Sequence, residues 1–227
     1  MIHYHGTPIT PRSQLMRMGG RNFCVSHANP QDAKTCLSIG QSVMFDNGAF
    51  TAFTRGKPID TAAYYRWLEP MLVHPHWAVV PDAIDGTIED QYNMLLTWPR
   101  ETLGYDHCAA VYHLHEPLTH LYFLCNAYDK VCLGSSGEYW QIGTPKWIHR
   151  MDTIFNELAK RYTRMPWIHG LRMLGQTDGG WPLASADSTN VAQNFHLHGC
   201  PECMAAKLDI IQPSAKWKER EQIEMEL

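Results

Sequence analysis

One carboxylate in the sequence stands where a catalytic nucleophile could be placed. Residues 183–190 read Leu-Ala-Ser-Ala-Asp-Ser-Thr-Asn, a short apolar strand that ends at Asp187 among small hydroxyl residues. With no bulky neighbour to shield it, a carboxylate at the end of a strand is a candidate nucleophile or base. The alternative is that Asp187 caps the next helix, with Ser188 and Thr189 in a turn.

Two further aspartates also end apolar strands. Asp46 follows the run that ends at Phe45, and Asp82 follows Val80 and Pro81. A glycine two residues after Asp46 allows a tight turn that leaves the carboxylate exposed, although a purely structural turn has the same pattern. Three strand-end aspartates in separate βα units converge naturally in a βα barrel.

The remaining pattern predicts the elements that must position these carboxylates. Apolar runs predict strands at residues 22–26, 42–46, 77–80, 108–112, 131–133, 167–171 and 183–186. Residues 1–21 are expected to form a loop, with room for a short strand at their start, before the turn-rich part. Helices are predicted after Asp60 and after Thr87, and at residues 117–128, 145–162, 202–212 and 214–227. The longest of them, 145–162, carries its apolar residues on one stripe of period 3.6.

Strand and helix alternate seven or eight times, which favours an α/β fold: a single (β/α)8-type (TIM) barrel. The 227 residues are enough for one sizeable core, and we expect one domain over residues 1–227. No run reaches the length of a membrane span and the first residues are no signal peptide, so a cytoplasmic protein with no membrane partner is expected. The net charge of −4 gives no global signature of nucleic-acid binding, which would need a local basic patch.

A glycine-rich loop follows the predicted strand at residues 131–133. Gly134, Ser135, Ser136, Gly137 and Glu138 offer backbone N–H groups, two hydroxyls and a carboxylate. Such a loop could cradle a phosphate or a flat polar ring. No lysine follows it, so it is not a nucleotide-binding P-loop, and a simple turn is the alternative.

A metal-ligand pattern lies near the end of the chain. Cys200 and Cys203 form a Cys-x-x-Cys turn, the geometry that a tetrahedral zinc ion requires, and His196 and His198 can supply further ligands. We therefore predict a zinc-binding segment at residues 196–203, followed by C-terminal helices over 204–227. A redox Cys-x-x-Cys is the alternative, but it would be expected near the first strand and helix. The odd total of seven cysteines favours buried thiols over a disulfide framework.

Together, the order and spacing of these motifs resemble the tRNA-guanine transglycosylase superfamily over residues 42–203. The closer similarity is to its shorter, DpdA-type branch, which inserts 7-deazaguanine bases into DNA in bacteriophages and bacterial modification islands. Asp46-Asn47-Gly48 is similar to the motif that carries the family's general base. Asp82 resembles the aspartate that recognises the base, and Asp187 falls where the nucleophile stands.

This resemblance implies further roles. The loop at Gly134, Ser135 and Glu138 resembles the one that contacts the heterocycle. A glutamine expected after the fourth strand is replaced by Tyr112-His113, so that base recognition would involve His113, with Asn47 beside it. The segment His198-x-Cys200-x-x-Cys203 resembles the family's structural zinc site with histidine in place of the first cysteine. His196 would substitute for the downstream fourth ligand.

The activity that the resemblance implies is base exchange, in which guanine is replaced by a 7-deazaguanine such as a 7-cyano or 7-amido derivative. Asp187 would form a covalent glycosyl intermediate and Asp46 would be the acid/base. The long basic insertions of the tRNA enzymes are absent, which favours DNA over tRNA as the partner. Candidate phosphate contacts are the basic side chains Arg12, Arg55, Lys57, Arg100 and Arg172, and solvated surface charge is the alternative for each of them.

Two other classes of function stay open. His3, His5, His113, His169 and Asp187 follow the ligand order of amidohydrolase-type metal barrels, which would make the protein a metal-dependent hydrolase. A non-catalytic barrel that binds nucleic acid for another enzyme is the second alternative. It would not need Asp46 or Asp187.

Overall fold

A closed barrel of eight parallel strands forms the centre of the protein, in a computed structural model that describes residues 1–213 and 216–220. Each strand pairs with the next in chain order, and the first pairs with the last. The strands are β1 (Ile2–Gly6), β2 (Asn22–Ser26), β3 (Ser42–Asp46), β4 (Trp77–Val79), β5 (Cys108–His113), β6 (Lys130–Gly134), β7 (Trp167–Gly170) and β8 (Ser185–Ser188). The predicted α/β barrel is thus confirmed.

Helices surround this barrel and connect its strands. They are α1 (Arg12–Met16), α2 (Ala33–Ile39), α3 (Ala49–Thr54), α4 (Thr61–Leu68), α5 (Ile88–Leu96), α6 (Arg100–Leu103), α7 (Leu118–Ala127), α8 (Pro145–Arg161), α9 (Asn190–Asn194) and α10 (Pro201–Asp209). Short 3-10 turns occupy Pro30–Asp32, Gly137–Tyr139, Leu174–Gly179 and Phe195–His198. Within the described ranges, none of the helices combines the length and the apolar character needed to cross a membrane.

Two separate groups of apolar side chains hold the fold together. Successive side chains of a barrel strand point alternately inward and outward. The outward set packs against the helices and forms the larger core. The inward set fills the barrel with Tyr4, Cys24, Met44, Trp77, Val79, Ala109, Val111 and Cys132. The barrel is therefore packed below its carboxyl end and open only at its mouth.

Local sequence signals account well for the helices after β4 and β6. Thr87 and Asp90 form the predicted capping box, because the Thr87 hydroxyl accepts from the Asp90 N–H at 3.2 Å and the Asp90 carboxylate accepts from the Thr87 N–H at 2.8 Å. In α8 the predicted apolar stripe is buried, from Trp147 to Leu158. The helix ends at Arg161, one residue before the predicted end.

Both ends of the chain differ from the predictions. The short strand allowed for at the start of the chain is β1, a full barrel strand whose outward side chains are polar, and the loop expected after it contains α1. The first predicted C-terminal helix, over 202–212, is confirmed in part as α10, which ends at Asp209. The second, over 214–227, is wrong for residues 216–220, which are not helical. There Trp217 instead donates from Nε1 to Asn156 Oδ1 at 2.8 Å, so side-chain bonds to α8 replace helical ones. Residues 214–215 and 221–227 of that prediction lie outside the described residues.

A hydrogen-bonded pair inside the barrel allows a test of this packing. Trp77 Nε1 donates to the Tyr4 hydroxyl at 2.8 Å, and that hydroxyl lies 3.2 Å from Ser42 Oγ. Tyr4→Phe should lower the free energy of unfolding by about 1–3 kcal/mol, because it leaves the buried indole N–H without a partner. Urea unfolding measures the change. Tyr92→Phe, on the exposed side of α5, should change it by less than about 0.5 kcal/mol. Equal stability of Tyr4→Phe and wild type would contradict this packing.

Candidate active site

A pocket of about 230 Å³ opens at the carboxyl end of the barrel strands. This is the end at which enzymes of this architecture carry their catalytic groups. Seven of the residues predicted from the sequence line it: Asp46, Asn47, Asp82, His113, Gly134, Ser135 and Asp187. A larger cavity of about 740 Å³ lies near the start of β7 and β8, but it contains none of the predicted site residues.

Asp187 lies within β8 and is 6% exposed. Its Oδ1 accepts from the backbone N–H of Arg172 at 2.8 Å and lies 3.2 Å from His169 Nε2. The Arg172 backbone has a φ of 59°, and a non-glycine residue in that region signals a local constraint. Among the described residues no hydrogen bond to Oδ2 is found. This carboxylate is therefore fixed through one oxygen while the other stays free for chemistry.

His169 supports Asp187 from inside the barrel, a role that the sequence did not reveal. Its Nδ1 lies 2.7 Å from Ser185 Oγ, so both ring nitrogens have partners and the ring is fully buried. The rings of Trp77 and Trp167 lie 5.2 Å and 6.3 Å from it. A histidine one residue before the end of a barrel strand was the available signal. In the amidohydrolase-type alternative, His169 was instead a candidate metal ligand.

Asp46 is the last residue of β3, and its environment favours the protonated form. Burial raises the pKa of its carboxyl group to about 6, and the nearby charges of Asp187 and Asp82 add to this. A hydrogen bond from Ser26 and one from the Gly48 N–H at 3.2 Å oppose the rise. Gly48 has a φ of 77°, which glycine adopts without strain. A carboxyl group with this pKa can both donate and accept a proton near neutral pH.

Asp82 and Asn47 form the second side of the pocket. Asn47 Nδ2 donates to Asp82 Oδ1 at 2.8 Å and to the Val80 carbonyl at 2.9 Å, while its Oδ1 accepts from the Ala49 N–H at 2.7 Å. Backbone groups therefore hold both ends of the Asn47 amide, the Val80 carbonyl its nitrogen and the Ala49 N–H its oxygen. Asn47 therefore acts as a positioning residue that fixes the direction of the Asp82 carboxylate.

His113 pairs with the other oxygen of Asp82. Its Nε2 lies 3.1 Å from Asp82 Oδ2, a close ion-pair contact whose angle departs from that of a linear hydrogen bond. Burial alone would lower the pKa of His113, but the hydrogen bond and charge of Asp82, with the charges of Glu116 and Asp85, raise it overall. The pocket thus holds a carboxylate–imidazole pair at the position where the resemblance expected a glutamine.

A buried network behind His113 was not predicted. Glu116 Oε2 accepts from the His113 N–H at 3.1 Å and lies 2.8 Å from His120 Nδ1, with both side chains almost fully buried. Arg150 of α8 donates to the carbonyls of Leu114 and Glu116 at 2.8 Å and 2.6 Å. These bonds hold the loop between β5 and α7 against α8, and with it His113.

The glycine-rich loop after β6 is only partly in the pocket. Gly134 and Ser135 line it, and the Ser135 hydroxyl accepts from Trp147 Nε1 at 2.9 Å. Glu138, predicted to contact the substrate, lies instead on the surface and forms an ion pair with Lys146 of α8. The 3-10 turn at Gly137–Tyr139 carries its carboxylate away from the barrel mouth.

The predicted zinc-binding segment is assembled only in part. Cys200, Glu202 and Cys203 have ligand atoms within 4.8 Å of one another and could hold a metal ion. His196 and His198 are exposed and belong to no such group among the described residues, because Gly199, with a φ of 83°, turns the chain between them and α10. Cys200 and Cys203 are joined as a disulfide, and such a bond competes with metal binding for the same sulfurs.

His3 and His5 lie away from the pocket. Both point outward from β1 and contact Asp209 of α10, with nitrogen–oxygen distances of 3.2 Å and 3.0 Å. The ligand set of an amidohydrolase-type metal site is therefore not brought together. His113, His169 and Asp187 are near the pocket while the two β1 histidines serve helix packing.

The raised pKa of Asp46 allows a prediction about stability. Its folded pKa of about 6 exceeds the ordinary value of 3.8, so its contribution to stability is complete below pH 4 and is lost as the pH rises through 6. Asp46→Asn should therefore be more stable than wild type by about 2–3 kcal/mol at pH 8 and by little at pH 4. Urea unfolding at both values measures this, with the exposed Asp178→Asn as the neutral control. A variant less stable than wild type at pH 8 would contradict the assignment.

Comparison with known proteins assigns no family to this chain. No protein-family model matches the sequence, and no curated protein matches it.

Proposed function

We propose that the protein is a base-exchange glycosyltransferase that replaces guanine in DNA with a 7-deazaguanine derivative through a covalent intermediate on Asp187. One observation carries the proposal: Asp46, Asp82 and Asp187 come from three different strands or strand ends and line the same pocket. Its volume of about 230 Å³ is below the range of roughly 300–1,000 Å³ typical of sites for drug-sized ligands. A single heterocyclic base suits such a pocket better than a whole nucleotide does.

Asp187 has the properties of the nucleophile. The carboxylate attacks the anomeric carbon on the face opposite the base, the bond from that carbon to the base nitrogen breaks, and a glycosyl ester forms. Arg172 N–H and His169 hold Oδ1, so Oδ2 is the oxygen that attacks. The incoming base then displaces the ester from the opposite side, which gives retention overall.

Asp46 is suited to the proton transfers. In its protonated form it gives a proton to the departing guanine, and as the carboxylate it then removes one from the incoming deazapurine. A pKa of about 6 makes both forms accessible near neutral pH, which a normal aspartate in water would not provide. Asp46 and Asp187 therefore divide acid/base and nucleophilic roles by environment.

Asp82, with Asn47 and His113, is suited to reading the base. The ring N–H and exocyclic amine of a guanine-like base are donors, and the lone pairs of Asp82 that Asn47 and His113 leave free can accept them. The other ring nitrogen of His113, Nδ1, lies near Gly134, where it can accept from the base in the neutral ring or donate to it in the protonated ring. An ordinary hydrocarbon ligand would leave these buried polar groups without partners, at a cost.

The two alternative functions have less support. A metal-dependent hydrolase would need His3 and His5 at the pocket, and they are engaged by Asp209 instead. A non-catalytic partner would have no use for a buried carboxyl group whose pKa is raised toward neutrality, since such groups cluster at catalytic sites. The direct test of the proposal is incubation with labelled guanine or a deazaguanine and either duplex DNA or tRNA. The polymer that gains label identifies the substrate.

A structural zinc ion, held by Cys200 and Cys203, completes the proposal. The pair lies at the start of α10, where the Cys200 sulfur accepts from the Cys203 N–H at 3.1 Å. The five other cysteines are free thiols. Zinc would bind once the Cys200–Cys203 disulfide is reduced. The two thiols would then hold the ion, with His196 or His198 able to complete the site after a local rearrangement.

Loss of the nucleophile should abolish exchange without unfolding the protein. Asp187→Ala and the nearly isosteric Asp187→Asn should each reduce incorporation of labelled guanine by about 10⁴-fold or more. Thermal unfolding should show both variants folded, and the exposed Asp178→Asn should exchange at the wild-type rate. Mass spectrometry of wild type stopped during turnover should find the glycosyl ester on Asp187. Exchange by a folded Asp187→Ala variant at near the wild-type rate would overturn the assignment.

The metal content gives an independent test. Protein purified with a reductant should carry about one zinc per chain, and Cys203→Ser should carry none, because two thiolates anchor the ion. Elemental analysis by mass spectrometry measures both. Cys125→Ser, at a half-buried free cysteine of α7, should keep the metal. Folded, reduced wild type without zinc would exclude the structural metal.

A further inference from the structure

The size of the pocket determines where the rest of a polymeric substrate must lie. About 230 Å³ accommodates a base, so the sugar, the phosphates and the neighbouring nucleotides of a DNA strand have to rest on the rim. This step depends on the proposed function. The rim should then offer the two things that an unpaired strand needs: cationic side chains for phosphates and exposed aromatic rings for bases.

Such a surface is present on α3 and the turn after β7. Phe50 lines the pocket and is 48% exposed, and Phe53, one helical turn further on, is exposed to the same degree. Exposed aromatic rings offer flat faces on which the bases of a single strand can stack. The guanidinium carbon of Arg172 lies 4.3 Å from the centre of the Phe50 ring. We call Phe50, Phe53 and Arg172 the rim platform.

Arg172 connects this platform to the nucleophile. Its backbone N–H holds Asp187 Oδ1 while its side chain lies over Phe50 at the surface. The left-handed backbone conformation of Arg172 allows both contacts at once. Such a conformation carries the backbone strain that is common at functional sites. A phosphate bound by the guanidinium would therefore sit directly beside the group that attacks the sugar.

The charges around the mouth are complementary to a nucleic-acid strand. Arg172 lines the pocket, and the exposed Arg12, Arg55 and Lys57 lie in the connections that follow β1 and β3. None of the four has a carboxylate within 4.0 Å among the described residues. Inside the pocket, the three carboxyl groups keep oxygen lone pairs that can accept further hydrogen bonds. Arg100, also a candidate phosphate contact, lies over Tyr105 away from the pocket and is not part of this set. The net charge of −4 hides this local pattern.

We infer that the rim platform holds the DNA strand next to the extruded nucleotide. The base that follows it stacks on Phe50 or Phe53 and its phosphate binds Arg172. The other cations of the rim add phosphate contacts further along the strand. Stacking on an aromatic face is tolerant of sequence, so the platform provides affinity and position while Asp82 and His113 select the base.

Binding of a fluorescein-labelled single-stranded DNA of twelve nucleotides, followed by anisotropy at several salt concentrations, tests the platform. Phe50→Ala should weaken binding about tenfold, the typical loss of one base-stacking contact. Arg172→Gly keeps the left-handed backbone that holds Asp187 and removes only the side chain. It should weaken binding and reduce the magnitude of the slope of log Kd against log salt by about 0.7, as expected for one phosphate contact on a single strand. Phe123→Ala and Arg100→Gln, at exposed residues outside the pocket, are the matched controls and should bind as wild type does.

The outcomes separate this inference from the proposed function. Weakened binding by folded Phe50→Ala and Arg172→Gly, with unchanged controls, supports the platform even if no base exchange is found. Base exchange into DNA by a protein whose platform variants bind as tightly as wild type would support the proposed function and overturn the platform. No binding of the DNA by wild type, or clearly tighter binding of an RNA of the same sequence, would also overturn it.

Discussion

The site depends on the cost of taking three carboxylates out of water at once. Each needs donors from the protein, and the structure distributes these donors unequally. Asp187 receives a backbone N–H and an imidazole, and Asp82 an amide and an imidazole. Asp46 receives only a hydroxyl and one longer backbone bond, so its pKa rises to about 6. This unequal compensation distinguishes the environment of Asp46 from those of the other two carboxyl groups, and the proposed division of acid/base and nucleophilic roles rests on it.

Closure of the barrel makes this distribution possible. β8 pairs with β1 so that Asp187 is opposite Tyr4, and with β7 so that Ser185 is opposite His169. The imidazole therefore lies between the two strand ends, above the rings that plug the barrel. In an open sheet the first and last strands would be its edges, and β1 and β8 would not meet. The same closure brings Asp46 of β3 to the pocket that Asp187 lines.

Sequence reasoning located the strand ends well and the supporting groups poorly. A strand with both faces buried is recognised in the sequence as a continuous apolar run. The three aspartates were recognised because each of them ends such a run. β1 lacks that signal, because its outward side chains are the histidines that contact Asp209. His169, Glu116 and His120 were equally hidden: their partners are 3 to 18 residues away along the chain, and only the fold decides which of them meet. Glu138 had the right place in sequence, but a 3-10 turn directs it outward.

His3 and His5 connect β1 to α10, the helix that begins at the cysteine pair. Cys200 begins α10 and Asp209 ends it, so the helix is fastened at both ends. Although burial would raise the pKa of Asp209, its hydrogen bonds with His3 and His5 hold that pKa well below its usual range, and Arg21 of the loop before β2 lies 3.2 Å from its other oxygen.

At the cysteine end of α10, Glu202 accepts from Arg17 at 2.7 Å. The helix thus braces β1 from outside while Tyr4 of the same strand packs inside against His169, 6.0 Å away. The Cys200–Cys203 disulfide thus lies at the start of the helix that packs on β1, the strand whose Tyr4 contacts His169.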